Sequence, residues 1–265
     1  MRKFLTAFDL KIIGIVFMVV DHVKTYLGPF IGLPAWISLL GRFVAPLFVF
    51  LMIEGFYYTR DRKKYFIRLF IGGILMHGIN IVYNVFIKDS FTNPYTGEFD
   101  IFSLLQGQNI FMTLALLLLF IWGIDTLRYT NLKFGKKTLL VSGLFLLIPF
   151  IFVSEGGIYE LIMGLIFYFF RGNIKNIMIT VVLFTSVLFA HTLYNYFSIE
   201  GIGTLYQVLT FSNEYMMISV LPFIYLYNGK RGGNGSVWQK ELFYCFYPIH
   251  LIIIYLVQDK FLGRI

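Results

Sequence analysis

The sequence predicts an all-α protein, a polytopic transmembrane helical bundle of about nine spans, within a range of eight to ten. Apolar residues make up 58% of the 265 positions and charged residues only 14%, unlike the balance of a soluble domain. Apolar runs of about 17 to 23 residues recur, which is the length that a bilayer-crossing helix needs. The ten-residue alternation of a membrane β-barrel is absent. We therefore interpret residues 1–265 as a single transmembrane domain.

The apolar runs place nine spans in order along the chain. They are 11–28, 35–58, 66–87, 109–127, 138–154, 157–170, 176–197, 213–228 and 241–258. The sixth is short for a span. The N-terminal "MRK" and the run after it resemble a signal peptide, but no small-residue cleavage pattern follows, so we interpret this run as a retained first helix.

The distribution of Lys and Arg predicts the orientation. Basic clusters at 60–64, 128–137, 171–175 and 228–240 each follow an even-numbered span, whereas the other connections carry few basic and several acidic residues. The positive-inside rule then places the N-terminus in the cytoplasm and the C-terminus outside. The net charge of +8 is accounted for by these topology signals, so the expected partner is the lipid bilayer and not a nucleic acid.

Several kinds of site are not indicated by the sequence. Cys245 is the only cysteine, so no intramolecular disulfide is possible. No zinc-ligand spacing, Walker A loop or Rossmann fingerprint is visible, and we predict no metal site. The Gly-rich segment 229–235 lacks the "GK[ST]" ending of a phosphate-binding loop and is predicted to be a flexible cytoplasmic connection.

Ionisable residues inside the spans are the strongest functional signal, because such groups are costly in hydrocarbon unless they face a partner or a wet cavity. They are Asp21, His22, Arg42, Glu54, His77, His191 and His250. At about 1.5 Å of rise per residue, His22, His77 and His250 lie near mid-membrane, and Arg42, Asn109, Thr113 and His191 lie further toward the outside. We expect one polar cavity to collect most of them.

Each of these residues also has a structural interpretation. A lone His on an apolar helix, such as His77 or His191, is more often a packing residue than a catalyst. Asp21 and His22 are consecutive and project in different directions, so we expect Asp21 to pair with another segment, with Arg42 as the candidate. Glu54 is either an interhelical ion-pair member or part of a functional site.

A basic stretch follows the second span. It consists of Arg60, Arg62, Lys63, Lys64 and Arg68. It is first a topology signal at the lipid headgroups. It is also the richest cationic surface at a cytoplasmic mouth, and such a surface suits a phosphate-bearing cosubstrate.

Four sequence blocks carry a resemblance to a known family. They are "DHVKTYLG", "GRFVAPLFVFLMIEGFYYTRDRKKYFIRLF", "QNIFMTLALLLL" and "NGKRG" with "KELFYCFYPIHLIIIYL". In this order they resemble the TraX family, named for the pilin acetylase of conjugative plasmids, over nearly the whole chain. The resemblance implies a multi-pass acyltransferase of the bacterial inner membrane.

The resemblance also implies the cosubstrate and the site. Acetyl-CoA or another acyl-CoA would donate the acyl group to a peptide or pilin-like amine, a sugar or a lipid. The family motifs fall on Asp21, His22, Arg42, Glu54, Asn109, Thr113, Tyr247 and His250. We expect Asp21, His22, Arg42, Tyr247 and His250 to be catalytic, and Glu54, Arg60, Arg62, Lys64, Arg68, Asn109 and Thr113 to bind the cosubstrate.

Acyl transfer needs a base for the acceptor's proton and donors for the developing oxyanion. His22 is the expected base, since a neutral imidazole titrates near physiological pH. Arg42, Asn109 or Tyr247 would supply donors, and His250 would orient His22 or relay its proton. Direct transfer and an acyl-His intermediate stay open. The alternatives are a proton-coupled transporter or flippase that uses the same residues as a relay, and a non-catalytic assembly factor.

Overall fold

The computed structural model of the protein describes residues 3–86, 92–93 and 96–263. Its helices, in chain order, are α1 (Ala7–Tyr26), α2 (Gly28–Ile31), α3 (Val44–Tyr58), α4 (Arg62–Phe86), α5 (Ile101–Leu105), α6 (Ile110–Tyr129), α7 (Phe134–Phe152), α8 (Gly157–Phe169), α9 (Ile174–Ser198), α10 (Leu205–Phe211), α11 (Leu221–Leu226) and α12 (Val237–Phe261). Two 3₁₀ segments, Ala35–Gly41 and Glu214–Val220, lead into α3 and α11. No strand longer than an isolated bridge occurs in these ranges.

The fold class predicted from the sequence is confirmed. Six helices are long and apolar enough to cross a membrane, and their bounds are Ala35–Tyr58, Arg62–Phe86, Ile110–Tyr129, Phe134–Phe152, Ile174–Ser198 and Glu241–Phe261. The shorter apolar helices Gly157–Phe169 and Glu214–Leu226 coincide with the predicted sixth and eighth spans. The first predicted span corresponds to α1, which carries two Asp and two Lys residues and is not among the six. The span count and the side of the N-terminus stay predictions.

Side-chain caps begin several helices. Thr6 and Asp9 form a capping box at α1, in which each side chain accepts a hydrogen bond from the backbone N–H of the other. Asn109 and Asn173 cap α6 and α9. These bonds satisfy N–H groups that the first turn of a helix leaves without an intrahelical partner.

The chain divides into two compact units, each discontinuous in sequence. The first unit comprises residues 1–51 and 165–258, and the second comprises residues 52–164 and 259–265. The interpretation of residues 1–265 as one functional domain stays a prediction.

In the first unit, α1 and α12 lie side by side and run in the same direction. Ring contacts join Phe8 to Trp238 near their starts and Tyr26 to Tyr255 near their ends. The two helices of the histidine pair described below are therefore parallel neighbours.

The basic loop, residues 228–233, is tied to the start of α1 within the same unit. The N–H groups of Ala7 and Phe8 donate to the carbonyls of Lys230 and Arg231, at 2.9 and 3.0 Å. A parallel bridge pairs Leu5 with Tyr227 just before it. Backbone carbonyls of the loop thus supply the partners that the first turn of α1 lacks. The flexibility of segment 229–235 stays a prediction.

In the second unit, glycines bring α4 close to α6. A Cβ at Gly73 would lie 3.0 Å from the Cα of Met112, and one at Gly72 would lie 3.0 Å from the ring of Phe111. Larger residues at these positions would force α4 and α6 apart. The same close approach lets a side chain of α6 reach the backbone of α4, as described below.

Candidate functional site

A pair of histidines lies between α1 and α12. His22 and His250 are buried, with 4% and 7% of their surface exposed, and His22 Nδ1 lies 2.8 Å from His250 Nε2. The ring planes differ by 10° and the ring centroids are 5.0 Å apart. That separation is close to the largest that a 2.8 Å N···N contact permits, so the hydrogen bond lies nearly in the plane of both rings. This is the favourable direction for an imidazole N–H donor and lone pair.

The second nitrogen of His250 fixes the direction of that bond. His250 Nδ1 lies 2.9 Å from the carbonyl oxygen of Phe246, which can only accept, so Nδ1 carries the proton. With both rings neutral, His250 Nε2 is then the acceptor and His22 Nδ1–H the donor. The remaining nitrogen, His22 Nε2, keeps its lone pair and has no hydrogen bond to any described residue. The chain of hydrogen bonds therefore leaves a base at one atom of His22.

Aromatic side chains surround the pair. Tyr247 is 1% exposed, and its ring centroid lies 6.3 Å from that of His22 and 5.6 Å from that of His250. The ring of Phe246 lies nearly parallel to that of His250 at 5.1 Å. One turn further along α1, the hydroxyl groups of Tyr26 and Tyr255 are 3.4 Å apart. The two tyrosines were missed by the sequence analysis, although Tyr26 follows His22 by four residues and so shares its helix face.

Pro248 lies inside α12, two residues before His250. Because proline has no N–H, this turn of the helix carries one fewer intrahelical hydrogen bond. The side chain of His250 adds a donor to the same turn through its bond to Phe246. The sequence "FYPIH" thus combines a weakened helical turn with a histidine that binds back to it.

The predicted pairing of Asp21 with Arg42 is confirmed. Arg42 Nη2 lies 3.1 and 3.3 Å from the two carboxylate oxygens of Asp21. A Cβ at Gly41 would overlap the Asp21 side chain, so glycine is needed for this approach. Arg42 Nε is buried and has no hydrogen-bond partner among the described residues. The guanidinium therefore keeps one buried donor, and it lies within electrostatic range of His22.

Asn109 and Thr113, in the second unit, are held by backbone groups. Asn109 accepts from the N–H of Met112 at 3.1 Å and donates to the carbonyl of Gly73 at 2.9 Å. The Thr113 hydroxyl donates to the carbonyl of Glu155 at 2.9 Å. These bonds cap α6 and fasten it to α4 and to the turn before α8. The predicted contact of these two residues with a cosubstrate stays a prediction.

The basic stretch after α3 also lies in the second unit, and its residues differ in whether their charges are paired within the protein. Arg62 lies 2.7 Å from the Asp125 carboxylate and 3.8 Å above the centre of the Phe56 ring. Its guanidinium therefore already has partners within the protein. Lys64 lies 3.6 Å from Asp61, and the N–H of Lys64 lowers the pKa of that carboxyl and keeps it ionised.

Three cations of this stretch point to solvent. Arg60 and Lys63 are exposed, and exposed Arg68 uses only its Nε, in a 3.4 Å bond to the carbonyl of Lys64. These three are the residues of the stretch best placed to bind a phosphate.

The other buried or intramembrane polar residues fall in different places. Glu54 is 8% exposed and His77 is half-buried, and both belong to the second unit. His191, on α9 of the first unit, is exposed. The single cavity expected to collect these residues stays a prediction. Within the described ranges, no group of three His, Cys, Asp or Glu side chains could hold a metal ion.

Comparisons with known proteins identify the family of the chain. The TraX protein family matches residues 8–258. The chain is 27% identical over 262 residues to the "Probable fimbrial assembly protein FimC, serogroup H1" of Dichelobacter nodosus, and 94% of each protein is covered. No solved structure matches. Since the match extends from the second residue of α1 to α12 and includes both histidines of the pair, this chain belongs to the TraX family of membrane proteins.

Proposed function

We propose that this protein is an integral membrane acyltransferase that moves an acetyl or other acyl group from cytoplasmic acyl-CoA to an acceptor in or across the membrane. The observation that carries the proposal is the free Nε2 of His22 at the end of a hydrogen-bonded chain from Phe246 through His250. A buried base whose tautomer is fixed by a neighbour is what proton abstraction from an acceptor requires. A buried histidine that only packs helices together normally has hydrogen bonds at its ring nitrogens, whereas His22 Nε2 has none to a described residue.

The reaction assigns a task to each group. His22 Nε2 takes a proton from the acceptor amine or hydroxyl as that atom bonds to the thioester carbonyl carbon. The oxyanion that forms is stabilised by the buried Arg42 Nε–H, which Asp21 holds in place. When the carbon–sulfur bond breaks, the thiolate of CoA leaves and His22 returns the proton to it. His250 does not touch the reacting atoms and acts as a positioning residue.

The nucleotide end of acyl-CoA carries phosphates and needs cations at a cytoplasmic mouth. Exposed Arg60, Lys63 and Arg68 fit this role, whereas Arg62 and Lys64 have protein partners. Since acyl-CoA is made in the cytoplasm and the related Dichelobacter protein is bacterial, we assign the protein to the bacterial inner membrane. The name of that relative concerns fimbrial assembly, which favours a peptide amine over a sugar or lipid as the acceptor.

The first experiment compares purified wild type with His22→Gln in nanodiscs. Binding and thioester hydrolysis are measured with acetyl-CoA and longer acyl-CoAs, and transfer is measured with peptides whose N-terminal amine is free or blocked. We expect His22→Gln to bind acyl-CoA normally and to lose about 10²- to 10⁴-fold in turnover. The matched control is His191→Gln, an exposed histidine of the same unit, which should keep its activity.

The hydrogen bond between two imidazoles could also serve a proton relay, so a proton-coupled transporter is the rival function. Absence of acyl-CoA binding at every chain length, together with His22-dependent proton flux in liposomes, would replace the acyltransferase with the transporter. Equal turnover of wild type and His22→Gln would remove His22 as the base.

A further inference from the structure

The basic loop, residues 228–233, has no part in the proposed chemistry although it is ordered and strongly cationic. We propose that this loop is a binding site for phosphate groups at the end of the first unit where α1 and α12 begin. The ligand class is a phosphate monoester or diester, carried either by a nucleotide or by an anionic lipid headgroup. The inference that a nucleotide carries the phosphate rests on the proposed function, whereas the inference that a lipid carries it does not.

Glycines give the loop a backbone that other residues would strain. Gly229, Gly232 and Gly233 have φ of 77°, 68° and 64°. A Cβ at Gly232 would also overlap the side chain of Thr6. The Asn228 N–H donates to the carbonyl of Leu5 at 2.9 Å, and Asn228 Oδ1 accepts from the N–H of Lys230 at 2.9 Å. The loop therefore has a defined shape before any ligand arrives.

That shape leaves donors unused. The N–H groups of Arg231, Gly232 and Gly233 form no hydrogen bond with the described residues, in contrast to the carbonyls of Lys230 and Arg231, which are bound to α1. Consecutive free N–H groups at positive-φ turns form concave anion sites. Nearby, Ser236 directly precedes α12, and its hydroxyl oxygen is buried without a partner among the described residues.

The charges of the loop are likewise unpaired. Lys230 and Arg231 are exposed and form no ion pair with described residues. Two acidic residues lie near this end of the helices in sequence: Asp9, whose carboxylate is engaged by Thr6, and Glu241, which is exposed. The stretch after α3 differs, since Arg62 and Lys64 there have carboxylate partners. Unpaired Lys and Arg beside free N–H groups are the donor set that phosphate prefers.

The position of the loop suits the cosubstrate. His22 is 15 residues beyond Ala7 on α1, which is roughly 22 Å along the helix axis. The pantetheine arm of CoA has about twelve chain atoms between phosphorus and sulfur and extends to roughly 15 Å at backbone-like spacing. The arm is therefore about two thirds as long as the axial distance from the loop to the pair. A nucleotide held by the loop would therefore bring its thioester toward the His22–His250 pair, and the loop would then replace Arg60, Lys63 and Arg68 as the site of the nucleotide phosphates.

The test uses the full-length protein and two probes that need no acyl transfer. One probe is adenosine 3′,5′-bisphosphate, titrated against protein in an uncharged detergent. The other is phosphatidylglycerol, measured as lipid retained by the protein in native mass spectrometry. The variant is Lys230→Gln with Arg231→Gln. The control is Lys136→Gln with Lys137→Gln, which removes the same charge from the exposed start of α7.

We expect the loop variant to bind the bisphosphate about tenfold more weakly or worse, and the control to bind it like wild type. Arg231→Lys should have an intermediate effect, because it keeps the charge and loses the planar fork. Loop-dependent retention of phosphatidylglycerol without bisphosphate binding would also support the site and would identify the lipid as its ligand. Equal binding of both probes by wild type and the loop variant would overturn the proposal.

The two proposals can fail separately. If wild type hydrolyses acetyl-CoA and the loop variant binds both probes like wild type, the phosphate site is excluded and the acyltransferase stands. If no acyl-CoA binds but phosphatidylglycerol retention depends on the loop, the acyltransferase falls and the phosphate site stands.

Discussion

Buried polar side chains occur in both units, but they are satisfied in different ways. Asn109 and Thr113 of the second unit bond to backbone groups, and both functional groups of the Asn109 amide are used. His22 and His250 of the first unit bond to each other, and one nitrogen of His22 is left over. Such a difference separates a side chain that holds helices together from one that is available for chemistry.

The extent of burial does not distinguish these two kinds of side chain. Asn109 and His22 are each 4% exposed, and both lie at positions that match family motifs. Only the inventory of donors and acceptors distinguishes them. We therefore expect loss of activity per folded molecule at the histidine pair, and loss of stability with unchanged activity per folded molecule at Asn109.

The largest expected effect is at His250. In His250→Phe the aromatic contacts with Phe246 and Tyr247 are kept, but the acceptor that fixes the tautomer of His22 is removed. We expect kcat for acyl transfer to fall by about 10²-fold or more while KM for acetyl-CoA stays unchanged. The loss of the bonds to His22 and Phe246 should lower stability by about 1 to 3 kcal/mol, so turnover is compared per folded molecule. His250→Gln should recover part of the activity, because an amide oxygen can accept from His22 Nδ1–H. A fully active His250→Phe would show that the pair is packing only.

At Asn109 the expected effect is on stability. Asn109→Ala removes the cap of α6, worth about 1 kcal/mol, and also the bond to the Gly73 carbonyl, worth about 1 kcal/mol more. The matched control is Asn173→Ala, which removes a cap from α9, and it should cost about half as much. Thermal unfolding in detergent measures both, and turnover per folded molecule should not change. A lost kcat with unchanged stability would instead place Asn109 at the cosubstrate.

The smallest effects compare two arginines of the basic stretch. Arg62→Gln should lower stability by about 1 kcal/mol, because it breaks the pair with Asp125 and the contact with Phe56. Arg60→Gln should change stability by less than about 0.5 kcal/mol and raise KM for acetyl-CoA. Unfolding curves measure the stability of the two variants, and initial rates at several acetyl-CoA concentrations measure their KM. If KM rises for Arg62→Gln and not for Arg60→Gln, the assignment of the phosphate-binding cations is reversed.

Much of the architecture was predictable because the bilayer sets the length of an apolar run. The bond between Asp21 and Arg42 was also predictable, since a buried charge needs an opposite charge. The cap at Asn109 had a readable signal, an Asn directly before an apolar helical run, which was not recognised; the predicted contact of Asn109 with the cosubstrate stays a prediction.

Other features depend on tertiary structure. The chain has four histidines, and nothing in their spacing indicates which two meet, because His22 and His250 are 228 residues apart. The partners of Arg62 and of the basic loop are likewise supplied by segments far away in the sequence, Asp125 for one and the start of α1 for the other. Pattern analysis detects local periodicity and does not detect such encounters.

The tie between the start of α1 and the basic loop has a consequence for how the protein is made. The first turn of α1 takes backbone partners from residues 230 and 231, and His22 takes its partner from residue 250. These contacts can therefore form only after the helices between α1 and α12 have been synthesised. A chain that ended before residue 230 would lack both the tie to the loop and the paired histidine.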